Sequence, residues 1–279
     1  MMGQLDNRVA IITGAGRGIG KAIALAYARE GAHLALVART RAQLAQTVQE
    51  VEALGAETCL IAMDVTEATQ VEQMVRLTLE RFATIDILVN NAGVAGPIAP
   101  LQESDIADWV RTLQVNVVGT YLCCRAVLPT MLRHNRGKII NVAGAGATNA
   151  WRNISAYVVS KAAVVRLTET LALELQGKNI QVNALGPGSI HTQLWEELRD
   201  GAQRIGDATL YELGQRVTSG GGASLEQAAA LAVFLGSEAS GPLSGRLISA
   251  VTDDVPHLPA QIERIMASDA FTLRRVELR

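Results

Sequence analysis

Residues 8–20 read RVAIITGAGRGIG, an apolar run that stops at a turn rich in glycine. A helical pattern begins at residue 18 and continues to residue 30. A glycine-rich turn alone is weak evidence of a ligand, but one set between a strand and a helix is the context in which such a turn binds a pyrophosphate. Gly14, Gly18 and Gly20 would permit the tight turn, the approach of backbone to phosphate, and close packing of the helix on the sheet. Ile19 lies in the same turn, where the amide donors and positive dipole end of the helix complete a phosphate cradle.

The same alternation continues outward from that unit. RVAII, HLALVA, TCLIAM, DILVN, KIINVA, IQVNAL and RLISAV are short β-rich runs. Helical stretches at 18–30, 40–54, 67–82, 104–133, 155–176 and 224–236 separate them. The runs are apolar on both faces, as a parallel sheet covered by helices on both sides requires. The expected fold class is α/β: one Rossmann-like, doubly wound parallel-sheet domain over residues 1–250, with right-handed crossovers.

Two regions break the rhythm. Residues 189–223 form an insertion containing the helical run TQLWEELRDGAQRI and ending on the glycines at 220–222, which reads as a lid with a mobile hinge. Ser224 and Gln227 fit a capping box that starts the next helix. Residues 251–279 form a tail in which Ile262, Ile265 and Met266 share a helical face after Pro259. That stripe is expected to dock on its own or a neighbouring subunit, and the tail to border the cleft.

Composition sets the outer bounds. The chain has 279 residues, 49% hydrophobic and 19% charged, with a net charge of −2, which offers no electrostatic reason to expect nucleic acid or an anionic membrane as a partner. No continuous apolar run approaches the ~20 residues of a membrane helix, and the start MMGQLDNRVAIITG lacks the regions of a signal peptide. A cytoplasmic location follows as the expectation. Cys59, Cys123 and Cys124 lack metal-ligand spacing, the four histidines are scattered, and no metal site is expected.

Further motifs lie downstream of the glycine turn: NNAG at 90–93, Asn116 in VNVVGT, YVVSK at 157–161 and PGSIHT at 187–192. In content and order these resemble the short-chain dehydrogenase/reductase family, over most of the chain. The resemblance implies a Rossmann fold, a nicotinamide cofactor, a small-molecule substrate and hydride transfer at a carbonyl or alcohol carbon. It also implies a homo-oligomer, a dimer or a tetramer, built partly from the helices around 104–133 and 155–176. By the same analogy Asp64 and Val65 meet the adenine, while Asn91, Ala92 and Gly93 line the cofactor cleft with Pro187 and Gly188. Ile190 and Thr192 would hold the nicotinamide carboxamide.

The choice of cofactor turns on the end of the second strand. A carboxylate there favours NAD(H), and arginine accommodates a 2′-phosphate. This chain has Arg39, Thr40 and Arg41, with Arg17 in the glycine turn as a second cationic wall. NADP(H) is therefore expected, with NAD(H) as the alternative.

Tyr157 and Lys161 are spaced to share one helical face, and a nearby ammonium would lower the phenol's pKa. The family gives Tyr157 the acid/base role, makes Lys161 its modifier and a ligand of the nicotinamide ribose, and has Asn116 hold a connecting water. The family's serine at the end of the fifth strand is missing: GKIINVAG places Ala143 and Gly144 there, with Gly144 at the catalytic position. Ser155 and Ser160 belong to the tyrosine's own helix, leaving Thr148 as a candidate replacement beside water, a backbone amide or a substrate hydroxyl. Ala145, Trp151, Asn153 and Trp195 are candidate pocket walls.

Three functions remain open. The first is an NADP(H)-dependent oxidoreductase acting on a ketone or secondary alcohol. The second is a cofactor-binding protein without turnover, which Gly144 favours. The third is an isomerase or lyase on the same fold.

Overall fold

The structure, a computed structural model, describes residues 3–275. Strands β1 (Val9–Thr13), β2 (His33–Ala38), β3 (Thr58–Ala62) and β4 (Ile87–Asn90) alternate with helices α1 (Gly18–Arg29), α2 (Arg41–Glu52) and α3 (Ala68–Phe82). Helices α4 (Ile106–Leu113) and α5 (Gly119–His134) precede β5 (Gly137–Val142). Then come α6 (Ser155–Glu174), β6 (Ile180–Gly186), α7 (Gln193–Ile205), α8 (Ala208–Arg216), α9 (Leu225–Gly236), β7 (Leu247–Ser249) and α10 (Ile262–Met266). The seven strands form one parallel sheet in the order β3-β2-β1-β4-β5-β6-β7. Strand order reverses between β1 and β4, and a doubly wound sheet opens its ligand crevice at that reversal.

The two faces of the sheet are both dry. Along β1, Ala10 and Ile12 join Ile23, Tyr27, Leu231 and Phe234 on one side, while Ile11 joins Met74, Cys124, Val127 and Met131 on the other. This period of two within an all-apolar strand follows from helices covering both faces.

The long helical run differs from the sequence expectation. It is interrupted by a π-helical turn over Gln114–Val118, which carries Asn116. From Ile106 to His134 the run is long and apolar enough to cross a bilayer, but half of its most apolar window is buried within the protein. Cys123, Cys124, Val127 and Met131 are part of that core packing. The cap of α9 forms as read: the Ser224 hydroxyl accepts from the amides of Glu226 and Gln227 at 3.1 and 3.3 Å, although the carboxylate that bonds Ser224 belongs to Glu226.

The tail lies against the outer edge of the sheet. Leu247 of β7 donates its amide to the Phe271 carbonyl at 2.8 Å, so the tail partners the edge strand. The Arg246 guanidinium donates to the carbonyls of Ile265 and Ser268, closing the end of α10. Buried Glu169 on α6 accepts from the Leu273 amide at 2.7 Å and from Arg166 and Arg274. Of the expected apolar stripe, Ile262 and Ile265 are buried on the chain's own core, whereas Met266 is exposed. Glu169→Gln is expected to lower the unfolding free energy by about 1.5–3 kcal/mol, the range for a hydrogen bond to a charged group. Hydrogen exchange at the Leu247 and Leu273 amides should rise in that variant while β1 stays protected.

Candidate active site

Thr13 ends β1 and fixes the lips of the crevice. Its hydroxyl donates to the Val89 carbonyl at 3.3 Å and accepts from the amides of Asn91 and Ala92 at 3.0 and 3.1 Å. The Asn91 side chain returns the contact by donating to the carbonyls of Thr13 and Gly14. Gly14 and Gly18 have positive φ, 66° and 54°. Gly20 is packed so closely that a β-carbon there would lie 2.3 Å from the Gly14 carbonyl oxygen. The helix–strand packing role read from the sequence is therefore the one Gly20 fills, and it does not itself line the cleft.

A cavity of about 470 Å³ runs along the carboxyl ends of the strands. One end is lined by Gly14, Arg17, Gly18, Ile19, Arg39, Asp64 and Val65. Asn91, Ala92, Gly93, Pro187, Gly188, Ile190 and Thr192 line the middle, and Gly144, Ala145, Trp151, Tyr157, Lys161 and Trp195 the other end. Residues far apart in the chain thus converge on one elongated cleft. The first turn of α1 contains no acidic residue and its N-cap makes no side-chain bond. A dinucleotide with its pyrophosphate over that turn fits these residues.

The end of the cavity beside the glycine turn carries a distinct charge pattern. Arg17 and Arg39 are both exposed and both line the cavity. The carboxylate of Asp64 in the same wall is already occupied: it accepts from Thr66 and from Arg111 at 2.7 Å. Burial pushes this carboxyl up, but the Thr66 and Arg111 bonds prevail and hold it below its ordinary range.

At the opposite end, Tyr157 and Lys161 project from α6 beside the end of β5. The Lys161 ammonium donates to the Val142 carbonyl at 2.9 Å and lies 5.8 Å from the Tyr157 ring centre. The sequence expectation of a lowered phenol pKa is not met in this arrangement. The hydroxyl end of Tyr157 is packed against Gly144, and burial pushes the phenol up to about 12. Burial also brings Lys161 down to about 8, since both groups lose stability in their charged forms when removed from water.

Asn116 is buried behind the cleft. Its amide group donates to the Val94 carbonyl and to Ser160 Oγ, and its oxygen accepts from the Val94 amide at 2.9 Å. It therefore fastens the Gly93–Val94 loop to α6. Gly93 stands close to both, since a β-carbon there would lie 3.3 Å from Asn116 Oδ1 and 3.5 Å from Lys161 Nζ.

Two sequence candidates lie elsewhere. Asn153 does not line the cavity; its side chain donates to Asp207 at 2.7 Å and its carbonyl accepts from Ala99. Thr148 is exposed and hydrogen-bonded to Asn149, so it does not replace the serine. Among the described residues, none beyond Leu198 lines the cavity, and the tail reaches its wall through Val251, which packs against Gly188.

Sequence reasoning missed Asp207 and the place of Ser189 in the cleft wall, and it did not pair Glu196 with His191. Ser189 lines the cavity, and Glu196 pairs with His191 at its mouth, 3.0 Å apart. Asp207 caps α8 by accepting from Leu210 and also accepts from Arg152 and Asn153. Its place before a helical run was a readable capping signal, but its cross-chain partners were not. Trp151 and Trp195 meet edge to face, with ring centres 6.1 Å apart.

Comparison with known proteins gives the same picture. Residues 8–203 match the short chain dehydrogenase family. The D-threitol dehydrogenase of Mycolicibacterium smegmatis is 39% identical over 254 residues, covering 87% of this chain and 90% of that protein. An NAD+-bound xylitol dehydrogenase structure aligns with a TM-score of 0.83 at 31% identity, over 88% of this chain and 98% of that one. A variant of actinorhodin polyketide ketoreductase with NADPH aligns with a TM-score of 0.80 at 27% identity, over 89% and 97% of the two chains.

Burial pushes the Asp207 carboxyl up, yet its bonds from Leu210, Asn153 and Arg152 hold it below the ordinary range. Asp207→Ala is expected to cost about 1–3 kcal/mol through the partners it leaves unsatisfied. Limited proteolysis should then cut within residues 193–221 faster than in the unaltered chain.

Proposed function

The chain belongs to the short chain dehydrogenase family, and from that premise we propose an NADP(H)-dependent oxidoreductase in which Tyr157 exchanges a proton with the oxygen of a ketone or secondary alcohol. NAD(P)-dependent hydride transfer on alcohol and ketone groups is the activity of the family's oxidoreductases. The single observation that carries the finer reading is the convergence of Tyr157 and Lys161 from one face of α6 on a cleft floored by Gly93 and Val142.

The bound cofactor supplies or accepts the hydride; the chain's own residues handle position and protons. Tyr157, neutral until about pH 12, is a proton donor to a developing alkoxide. Lys161 holds a positive charge next to the cleft below about pH 8 and, anchored to Val142, is within reach of a ribose hydroxyl. Asn116 positions the Gly93–Val94 loop and retains one acceptor lone pair for a water behind Lys161. Ile190 and Thr192, which line the cleft, would hold the nicotinamide carboxamide, and Gly14, Gly18 and Ile19 would hold the pyrophosphate. Trp151 and Trp195 wall the substrate end with aromatic surface.

Arg17 and Arg39 support a 2′-phosphate over a free ribose diol, with NAD(H) as the weaker ligand. Exposed Ile106, Val110, Tyr121, Val159 and Leu173 on α4, α5 and α6 support a homo-oligomer, dimer or tetramer, through these helices. The second reading, cofactor binding without turnover, draws its support from Gly144.

Three measurements test this reading. NADPH should bind more tightly than NADH, and the Arg17→Ala/Arg39→Ala double variant should erase the difference in titration calorimetry. Tyr157→Phe should lose about 10²–10⁴ in kcat for ketone reduction, the usual range for an acid–base group, while NADPH affinity stays unchanged. Lys161 is charged below about pH 8 and neutral above it, so reduction should fall as pH rises through that value. Lys161→Met should show low activity without that limb.

A further inference from the structure

The glycine at position 144 is not required by its own backbone. Its φ of −175° and ψ of 168° describe extended chain that any residue adopts. What the position cannot accept is a side chain: a β-carbon there would lie 2.4 Å from the Tyr157 hydroxyl oxygen and 3.2 Å from the ring carbon that bears it. The same point is 3.6 Å from Lys161 Cγ. Gly146, two residues on, is close to Val158 instead, with its β-carbon position 3.0 Å from that side chain. The phenol oxygen thus meets only the first of the two glycines.

We propose that Gly144 is a positioning residue, seating the Tyr157 hydroxyl in the space that a side chain at the end of β5 would otherwise fill. The proposal rests on the reading of Tyr157 as the proton-exchanging group. It changes the meaning of the missing serine. The position is not an empty slot awaiting a hydroxyl, because Tyr157 itself occupies it. Any side chain at 144 must displace the phenol by about 1 Å to reach ordinary van der Waals separation. Lys161 bounds one side of the contact, so the open cleft is the direction left for that movement. Thr148 offers no substitute, since it is exposed and outside the cavity.

Gly144→Ala isolates this effect, because it adds a methyl group without adding a donor and strains no backbone angle. With a panel of ketones and NADPH, kcat is expected to fall by about 10²-fold, the typical result of a 1 Å misplacement. NADPH affinity and the thermal midpoint should stay unchanged, which separates displacement from misfolding. Gly144→Ser should be no faster than the unaltered chain. An independent readout is the titration of Tyr157 at the tyrosinate absorption band, taken as the difference from Tyr157→Phe. Burial places it at about 12 in the unaltered chain, and Gly144→Ala should bring it down towards the ordinary value near ~10 as the oxygen leaves its packed seat.

A Gly144→Ala protein with undiminished kcat and an unmoved tyrosine titration would overturn the proposal, as would a Gly144→Ser protein that turns over faster. If the unaltered chain reduces no ketone, the oxidoreductase reading fails by itself. The titration then still decides whether Gly144 seats the phenol.

Discussion

The Thr13 hydroxyl holds the sheet together where the order of its strands turns back. It bonds one carbonyl and two amides across the gap between β1 and β4, and Asn91 reciprocates from the far side. A parallel sheet leaves a crevice at such a reversal because the flanking loops depart to opposite faces. Here side-chain bonds to backbone fix both lips at one height. The glycine turn, the Asn91–Gly93 loop and the start of α1 are all placed relative to them. Loss of that register would move the glycine turn and the Asn91–Gly93 loop, which line the cleft.

Removal from water governs the far end of the cleft. Tyr157 and Lys161 are both driven toward their neutral forms, to about 12 and about 8. The ammonium is nevertheless retained at neutral pH, with the Val142 carbonyl as its acceptor. A neutral phenol beside a cation suits proton donation to an oxygen that is gaining charge, since the product anion forms where positive potential is already fixed. Asn116 reaches the same place from the π-helical turn, tying the Gly93–Val94 loop to the helix that carries both groups.

Two peripheral anchors keep that helix and its cover in position. Glu169 binds the tail to α6, and the Phe271 carbonyl partners the edge strand β7, whose exposed backbone would otherwise be a template for another chain. Asp207 binds the junction of α7 and α8 to the segment just before α6 through Arg152 and Asn153. Buried carboxylates satisfied by several donors perform both tasks. Such groups are stable inside a protein only when fully bonded, which makes them rigid points.

The strands and most helices were legible in the sequence because short continuous apolar runs alternating with helical patterns, and glycines at a strand–helix junction, have few physical alternatives. Gly14 and Gly18 stood out by their place at a strand–helix turn, whereas spacing put Tyr157 and Lys161 on one helical face and only the family resemblance gave them roles. Asn153 was misread because proximity in sequence to Tyr157 does not determine which way its side chain turns. The primary structure by itself determined the sheet, the glycine turn and the tyrosine–lysine face, all consequences of short-range periodicity and backbone freedom. Only the tertiary structure decided that Asp207 ties the α7–α8 segment to residues 152–153, that the tail pairs with the edge strand, and that the phenol occupies the space above Gly144. Each of these depends on which distant groups exclude water from one another, and spacing along a chain does not encode that directly.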